Sequence, residues 1–305
     1  MNTEKKYSGV VIPAVTPLTS DHKLDHGAVE RMFDHFHTNG VHPFILGTTG
    51  EGPSIPLAIK KEFLLLAGKL KKYGDVLYGG ISSNALEESI DLAKYSFDNG
   101  ADVVVTTLPS YYTLTEAAML KYMQQLAENM QGPLMIYNIP STTHISIPLN
   151  VIDQVSHHPN VVGIKDSERN EERLIESIRL WKDRKDFSHF LGWAAKSAEA
   201  LLLGSDGLVP STGNFETKVY VDLYKAAKEN DKDKAYSLQR LSDALGDLYQ
   251  KGRTLGESLW ALKVVMKELG LCESHVMPPI YPQSQEEEIK LVNGLKEILK
   301  EKQII

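Results

Sequence analysis

The sequence predicts a closed (β/α)8 TIM barrel with a C-terminal extension of three helices. Three observations carry this expectation. Short apolar runs alternate with helix-period segments eight times, the pattern of repeated strand–helix units around a parallel sheet. The runs are apolar throughout rather than alternating with polar residues, as strands covered on both faces are. The first run is followed by Thr16-Pro17, where an open dinucleotide-binding sheet would carry a glycine-rich turn.

The units follow in order. Val10-Val11-Ile12-Pro13-Ala14-Val15 is the first strand, and from about Asp25 a helix presents Val29, Met32, Phe33 and Phe36 on one face. Phe44-Ile45-Leu46 precedes a helix over Leu57 to Leu70, with Gly74 closing that unit. Val76-Leu77-Tyr78 precedes a helix from Leu86 to Phe97 that stops at Asn99-Gly100. Val103-Val104-Val105 is followed by Ala117 to Met130, and Leu134-Met135-Ile136-Tyr137 by Leu149 to Val155. Val161-Val162-Gly163-Ile164 leads to Glu171–Trp181, Phe187–Leu191 to Ala194–Leu203, and Gly207-Leu208-Val209 to Thr217–Lys228. The barrel is thus expected over residues 1–230. Residues 231–305 read as helices only: Ala235–Tyr249, Leu259–Leu269 and Glu286–Leu299, each with apolar residues at three-to-four spacing. Ser284-Gln285-Glu286-Glu287 has the arrangement of a capping box before the last of them. These helices are too short for a core of their own and are expected to pack as an appendage.

Composition narrows the class of function. The 305 residues are 42% hydrophobic and 24% charged, close to the globular average, with a net charge of −7. No basic patch is implied, so neither nucleic acid nor an anionic membrane is an expected partner. The longest apolar runs, five or six residues, fall far short of the roughly 18 needed to span a bilayer. The single cysteine, Cys272, suits a reducing cytoplasm and cannot form an intrachain disulfide. The N-terminal stretch Met1–Tyr7 lacks the apolar segment of a signal peptide. A cytoplasmic single-core enzyme is the expectation.

In such a barrel, residues ending the strands face the active site. Lys165 ends the sixth strand, with its stem in the core and its amine at the mouth. Taking a lysine out of water disfavours its ammonium, and the neutral amine is a nucleophile toward a carbonyl. The alternative is a lysine that snorkels or pairs with Asp166. Tyr137 ends the fifth strand, where a phenol can shuttle protons to a carbinolamine or an aldol oxygen; otherwise it is a rim aromatic. Gly47-Thr48-Thr49-Gly50-Glu51-Gly52 follows the second strand, and its amides and hydroxyls could cradle a carboxylate or a phosphate. It lacks the lysine of a P-loop. Tyr111-Tyr112 follows the fourth strand and reads, by itself, as loop aromatics. No metal-ligand spacing and no Gly-x-Ser-x-Gly elbow is present, so no metal and no serine nucleophile is expected.

The combination of Gly47-Thr48-Thr49-Gly50-Glu51, Tyr137-Asn138-Ile139-Pro140 and Gly163-Ile164-Lys165-Asp166-Ser167, in this order, resembles the dihydrodipicolinate synthase / N-acetylneuraminate lyase family of pyruvate-dependent class I aldolases. The resemblance extends from Thr16-Pro17 through Gly204-Ser205-Asp206-Gly207 to Met277-Pro278-Pro279. It implies that Lys165 forms a Schiff base with the keto carbon of pyruvate or a longer 2-oxo acid, so that no cofactor is needed. It implies that Tyr137 transfers protons, linked through Thr48 to Tyr111, which in this family commonly enters from a neighbouring subunit of a homotetramer or homodimer. Thr48 and Thr49 would hold the substrate carboxylate, and the backbone of Val209 would lie near the bound pyruvate.

Departures bear on the substrate. Members that condense pyruvate with aspartate semialdehyde usually carry an arginine two residues after the proline of Tyr-Asn-x-Pro, and here Thr142 stands there. The loss of a bidentate cation is not conservative. His144 replaces a common glycine, and Met277 stands where an arginine is often found. The stretch from His158 to Ser167 is similar to the branch acting on 4-hydroxy-2-oxoglutarate or 2-keto-3-deoxy sugar acids. The expected activity is therefore reversible cleavage of a 2-oxo-4-hydroxy acid to pyruvate and an aldehyde. Dihydrodipicolinate synthesis and N-acetylneuraminate cleavage are the alternatives within the family. An inactive 2-oxo-acid-binding relative and a phosphate-binding barrel are the alternatives outside it.

Overall fold

A computed structural model describes residues 5–302. Eight parallel strands close into a barrel in chain order. They are β1 (Gly9–Pro13), β2 (His42–Ile45), β3 (Tyr78–Gly80), β4 (Val103–Thr106), β5 (Leu134–Asn138), β6 (Val161–Asp166), β7 (Ser188–Leu191) and β8 (Gly207–Leu208). Between them run α1 (His26–Thr38), α2 (Leu57–Leu70), α3 (Leu86–Asp98), α4 (Glu116–Glu128), the one-turn α5 (Pro140–Thr143), α6 (Leu149–Val155), α7 (Glu171–Trp181) and α8 (Ser197–Leu203). After β8 come α9 (Thr217–Lys228), α10 (Lys232–Gln250), α11 (Leu255–Glu268) and α12 (Gln285–Lys302). Pairing of Gly9 with Gly207 and of Val10 with Leu208 closes the ring.

Successive strand side chains point to opposite faces, which gives the barrel two apolar layers. Val11, Phe44, Val105, Met135, Tyr137 and Phe190 form the interior cluster. Val10, Ile12, Ile45, Val104 and Ile164 face outward and join the helices in the second cluster. The helices bury the stripes their periodicity implies: α1 buries Val29, Met32, Phe33 and Phe36 and starts at Asp25, whose carboxylate accepts the Ala28 N–H at 3.0 Å. Among the described residues, no helix is long and apolar enough to cross a membrane.

Several local expectations are corrected. The third strand lies at Tyr78–Gly80, two residues beyond Val76-Leu77-Tyr78. Glycines have low strand propensity, so an apolar-run criterion passes over Gly79-Gly80. Gly80 is required sterically, because the Leu46 carbonyl occupies the place of its missing Cβ. Leu46 itself leaves the second strand, with a φ of 60° in the left-handed region. The turn α5 has no apolar stripe and was not expected; Pro140 opens it and His144, at φ 57°, ends it. That dihedral favours glycine, which gives a physical reason for the glycine common at this position in the family the sequence resembles.

The C-terminal helices also differ in detail. Ser258 through Met266 of α11 are all buried, so this helix is enclosed rather than striped. The complete capping box lies at its start: Thr254 Oγ1 accepts the Glu257 N–H, and Glu257 Oε2 accepts the Thr254 N–H at 2.7 Å. At Ser284, only half of the arrangement is present. Ser284 Oγ accepts the Glu287 N–H at 3.3 Å, while the Glu287 carboxylate pairs with Arg253 and Lys290. Two cations outcompete a backbone amide for that carboxylate.

Candidate active site

The candidate residues converge on the C-terminal ends of β2, β5 and β6. Tyr137 and Lys165 are direct partners in the β5–β6 ladder, and Lys165 also pairs with Phe190 of β7. Strand register thus places the amine and the phenol side by side, both facing inward. Lys165 is 4% exposed, with Nζ 3.8 Å from the Tyr137 ring centroid and 5.1 Å from that of Phe44. The two rings meet edge-on, with centroids 6.3 Å apart. Nζ therefore lies against aromatic faces.

The pairing of Lys165 with Asp166, one of the readings left open by the sequence, does not occur. Asp166 points to the opposite face, as its position one residue further along the strand dictates. Its Oδ2 accepts from Arg173 Nε at 2.7 Å, and its Oδ1 accepts from Asn138 Nδ2 at 2.9 Å and from the Glu168 N–H at 3.0 Å. Among the described residues, no carboxylate pairs with Lys165 Nζ. Asn138 further donates to Glu168 Oε2 at 3.0 Å, and its Oδ1 accepts the Ile147 N–H at 3.0 Å. Ser146 Oγ donates to the same Glu168 oxygen at 2.6 Å. This network behind the strand ends fixes both catalytic candidates and the 140–147 loop. Sequence reasoning missed it, although Asn138 and Asp166 each directly follow a candidate residue and so had to point away from the interior.

Thr48 Oγ1 lies 3.3 Å from the Tyr137 hydroxyl. The turn that presents it is tightly wound: the Gly52 N–H donates to Gly47 O at 3.0 Å, and the Glu51 N–H to Thr48 O at 3.0 Å. Glu51 adopts a φ of 55°. Thr49 is buried beside Thr48 at 8% exposure. Val209 belongs to the interior cluster with Tyr137 and Phe44, and its N–H donates to Leu191 O at 2.8 Å. Tyr111 is not brought to this group. It is 80% exposed and packs edge-on against Tyr112 at 5.0 Å, on a loop held by Asn84 Oδ1, which accepts the Ser110 N–H at 3.0 Å.

Thr48 and Tyr137 open onto a cavity of about 680 Å3, with Thr142 and Thr143 on its wall. The wall continues past Ser82, Ser83, Asn84 and Ser110 to Lys60, Lys61, Glu88 and Asp91. Burial holds the Lys60 ammonium below the usual lysine range, opposed by Glu88. Gly192 is a further site residue that the sequence reading missed. A Cβ there would lie 3.3 Å from Lys165 Cε and would collide with the Ser167 hydroxyl. The arrangement brings together a buried amine, a phenol linked to a hydroxyl, and a roomy cavity with hydroxyl and amide side chains on its wall.

Comparison with known proteins gives the class of protein, a family of lyases and aldolases. The chain belongs to the dihydrodipicolinate synthetase family, whose sequence profile matches residues 6–298. A DapA-like lyase of Thermococcus kodakarensis, itself uncharacterised, is 33% identical over 293 residues, covering 94% of this chain and 98% of the relative. YagE of Escherichia coli, provisionally assigned as a 2-dehydro-3-deoxy-D-gluconate aldolase, is 28% identical over 300 residues, covering 96% of this chain and 97% of that protein. Among solved structures, the dihydrodipicolinate synthase of Bacteroides thetaiotaomicron superimposes with a TM-score of 0.91 at 31% identity, covering 97% of this chain and all of the other (100%). YagE in complex with pyruvate gives 0.90 at 26% identity, covering 96% and 99%.

Proposed function

We propose that this protein is a Schiff-base-forming class I aldolase that reversibly cleaves a 2-oxo-4-hydroxy acid to pyruvate and an aldehyde. The observation that carries the reading is the Lys165 amine, unpaired with any described carboxylate, against the ring of a tyrosine whose hydroxyl meets Thr48. The amine attacks the 2-oxo carbon, and loss of water from the carbinolamine leaves an iminium. Tyr137 takes the proton of the C4 hydroxyl as it passes its own through Thr48 to solvent, the C3–C4 bond breaks, and its electron pair moves into the iminium as an enamine. C4 leaves as the aldehyde. Protonation of C3 and hydrolysis by water release pyruvate and restore the free amine. The covalent lysine supplies the electron sink, so this route uses no metal or organic cofactor.

The cavity wall supports a hydroxylated aldehyde. Thr142, Thr143, Ser82, Ser83 and Asn84 offer neutral donors and acceptors, and no arginine stands at position 142. A second reading, dihydrodipicolinate synthesis, is favoured by Lys60 and Lys61 on the same wall, which could meet the carboxylate of aspartate semialdehyde. Pyruvate with borohydride is expected to add a reduced pyruvate mass to Lys165; an unmodified lysine in folded protein defeats both readings. Turnover assays with 2-keto-3-deoxygluconate, 4-hydroxy-2-oxoglutarate, N-acetylneuraminate and aspartate semialdehyde then separate them. Dominant turnover of the last would reverse the preference.

The exposure of Tyr111 supports its service to a neighbouring subunit's site in a homodimer or homotetramer. Mixing inactive Lys165→Met and Tyr111→Phe proteins tests this. Activity regained in mixed oligomers is expected, and none is regained if Tyr111 acts only within its own chain.

A further inference from the structure

We infer that Glu51, held by Lys263 of α11, is the positioning residue for the Thr48 hydroxyl, so that the C-terminal helices set the geometry of the proton-transfer side of the site. The inference rests on the aldolase reading above and adds a residue pair to it. Glu51 and Lys263 are 212 positions apart, with side chains 0% and 1% exposed. Lys263 Nζ donates to three acceptors: Glu51 Oε1 at 2.5 Å, Thr16 O at 2.7 Å and His275 O at 2.7 Å. Its three protons are all used. The second carboxylate oxygen of Glu51 accepts the Met277 N–H at 2.6 Å. Thr16 Oγ1 donates to Gly50 O at 2.6 Å. One ammonium thus ties together the segment after β1, the turn after β2, α11 and the segment that follows it.

The tie reaches the chemistry through the backbone. Glu51 donates its N–H to Thr48 O at 3.0 Å, so the position of Glu51 sets that of the residue facing Tyr137. Glu51 and Leu46, near the two ends of this turn, both have left-handed φ, at 55° and 60°. L-residues disfavour that region, and the turn would relax without an anchor. Two buried charges in place of an apolar pair add little net stability, because desolvation offsets their attraction. They do add direction, since every donor and acceptor is engaged at a fixed geometry.

The test is the double substitution Glu51→Gln/Lys263→Met, which leaves no unpaired charge in the interior. In this variant, borohydride trapping of pyruvate at Lys165 is expected within twofold of the parent, because β6 is untouched. The turnover number is expected to fall at least tenfold, and the amides at positions 51 and 52 are expected to lose hydrogen-exchange protection. A purely structural pair would instead lower trapping and turnover together, in proportion to the folded fraction. Turnover within twofold of the parent, or unchanged amide protection, overturns the inference. Should the double variant not fold, Glu51→Asp keeps both charges and shortens the carboxylate arm by one methylene. The same trapping, turnover and exchange outcomes then decide. If the parent itself forms no pyruvate adduct, the aldolase reading fails, and amide exchange alone judges the positioning of the turn.

Discussion

Replacing Tyr137 by phenylalanine removes a single oxygen from the centre of the site and leaves the ring in place. The ring is 5% exposed, edge-on to Phe44, and carries the contact with Lys165 Nζ at 3.8 Å. None of these features involves the hydroxyl. The hydroxyl meets Thr48 Oγ1 at 3.3 Å, long for an O–H···O bond, so its loss costs about 1 kcal/mol or less of stability. For a chain of this size, that is a melting shift of roughly 2 °C. The catalytic cost is of another order. A positioned proton carrier contributes roughly 10²–10⁴ in rate, which corresponds to about 3–5 kcal/mol in the barrier. Tyr137→Phe is therefore expected to keep its melting temperature and still acquire the pyruvate mass under prolonged borohydride treatment, while turnover falls at least a hundredfold. Turnover within threefold of the parent would refute the role of the phenol as proton carrier, whatever the trapping experiment shows.

Gly192→Ala places a methyl 3.3 Å from Lys165 Cε and onto the Ser167 hydroxyl; overpacking costs about 1–3 kcal/mol, and pyruvate trapping at Lys165 is expected to slow roughly tenfold, a loss that unchanged trapping kinetics would contradict. Thr142→Arg sets a guanidinium on the cavity wall and should lower KM for aspartate semialdehyde tenfold or more while raising it for a neutral hydroxy-acid tail; equal effects on both would show that this position does not select the aldehyde. His189 is 1% exposed, with its ring nitrogens at Ser177 Oγ and Ser205 Oγ, and burial, aided by the Lys5 and Arg173 cations, lowers its pKa to about 3. The unfolded chain takes up that proton near pH 6.5, so its stabilising effect is full above that pH and is lost as pH falls toward 3, at about 1.4 kcal/mol per pH unit. His189→Gln should flatten the urea midpoint against pH between 6.5 and 4.5, and a slope equal to that of the parent would sink the assignment.

The barrel was legible because buried parallel strands are continuous apolar runs, and the core stripe of α1 because its spacing is helical. β3 was misplaced for the same reason in reverse: two of its three residues are glycines, fixed by the approach of Leu46 rather than by propensity. Lys165 and Tyr137 were legible because each ends an apolar run, and the end of a barrel strand is the mouth. What lies behind them was not. Arg173 reaches Asp166 from the first turn of α7, and no spacing rule joins a charge on a helix to one on a strand. Lys263 was hidden more thoroughly, since a lysine within an apolar helix reads as part of its solvated face until its partner, far away in the chain, is known.

The two halves of the proposed chemistry are held by different means, and this determines how they fail. Lys165 and Tyr137 are neighbours in a strand ladder, supported by the Asn138–Asp166–Arg173 network. Their separation is fixed by sheet geometry and changes only if the barrel does. Thr48 is on a turn bracketed by left-handed residues, and its distance to Tyr137 depends on contacts from α11 and the segment after it. Imine formation draws mainly on the first set, and proton transfer through Thr48 on the second. Substitutions in the C-terminal helices, remote from the cavity, are therefore expected to spare the pyruvate adduct and slow the turnover, whereas substitutions around β6 should abolish both. A loss of adduct and turnover in step from a change in α11 would mean that the barrel mouth and the extension behave as one elastic unit, and the separation drawn between them would not hold.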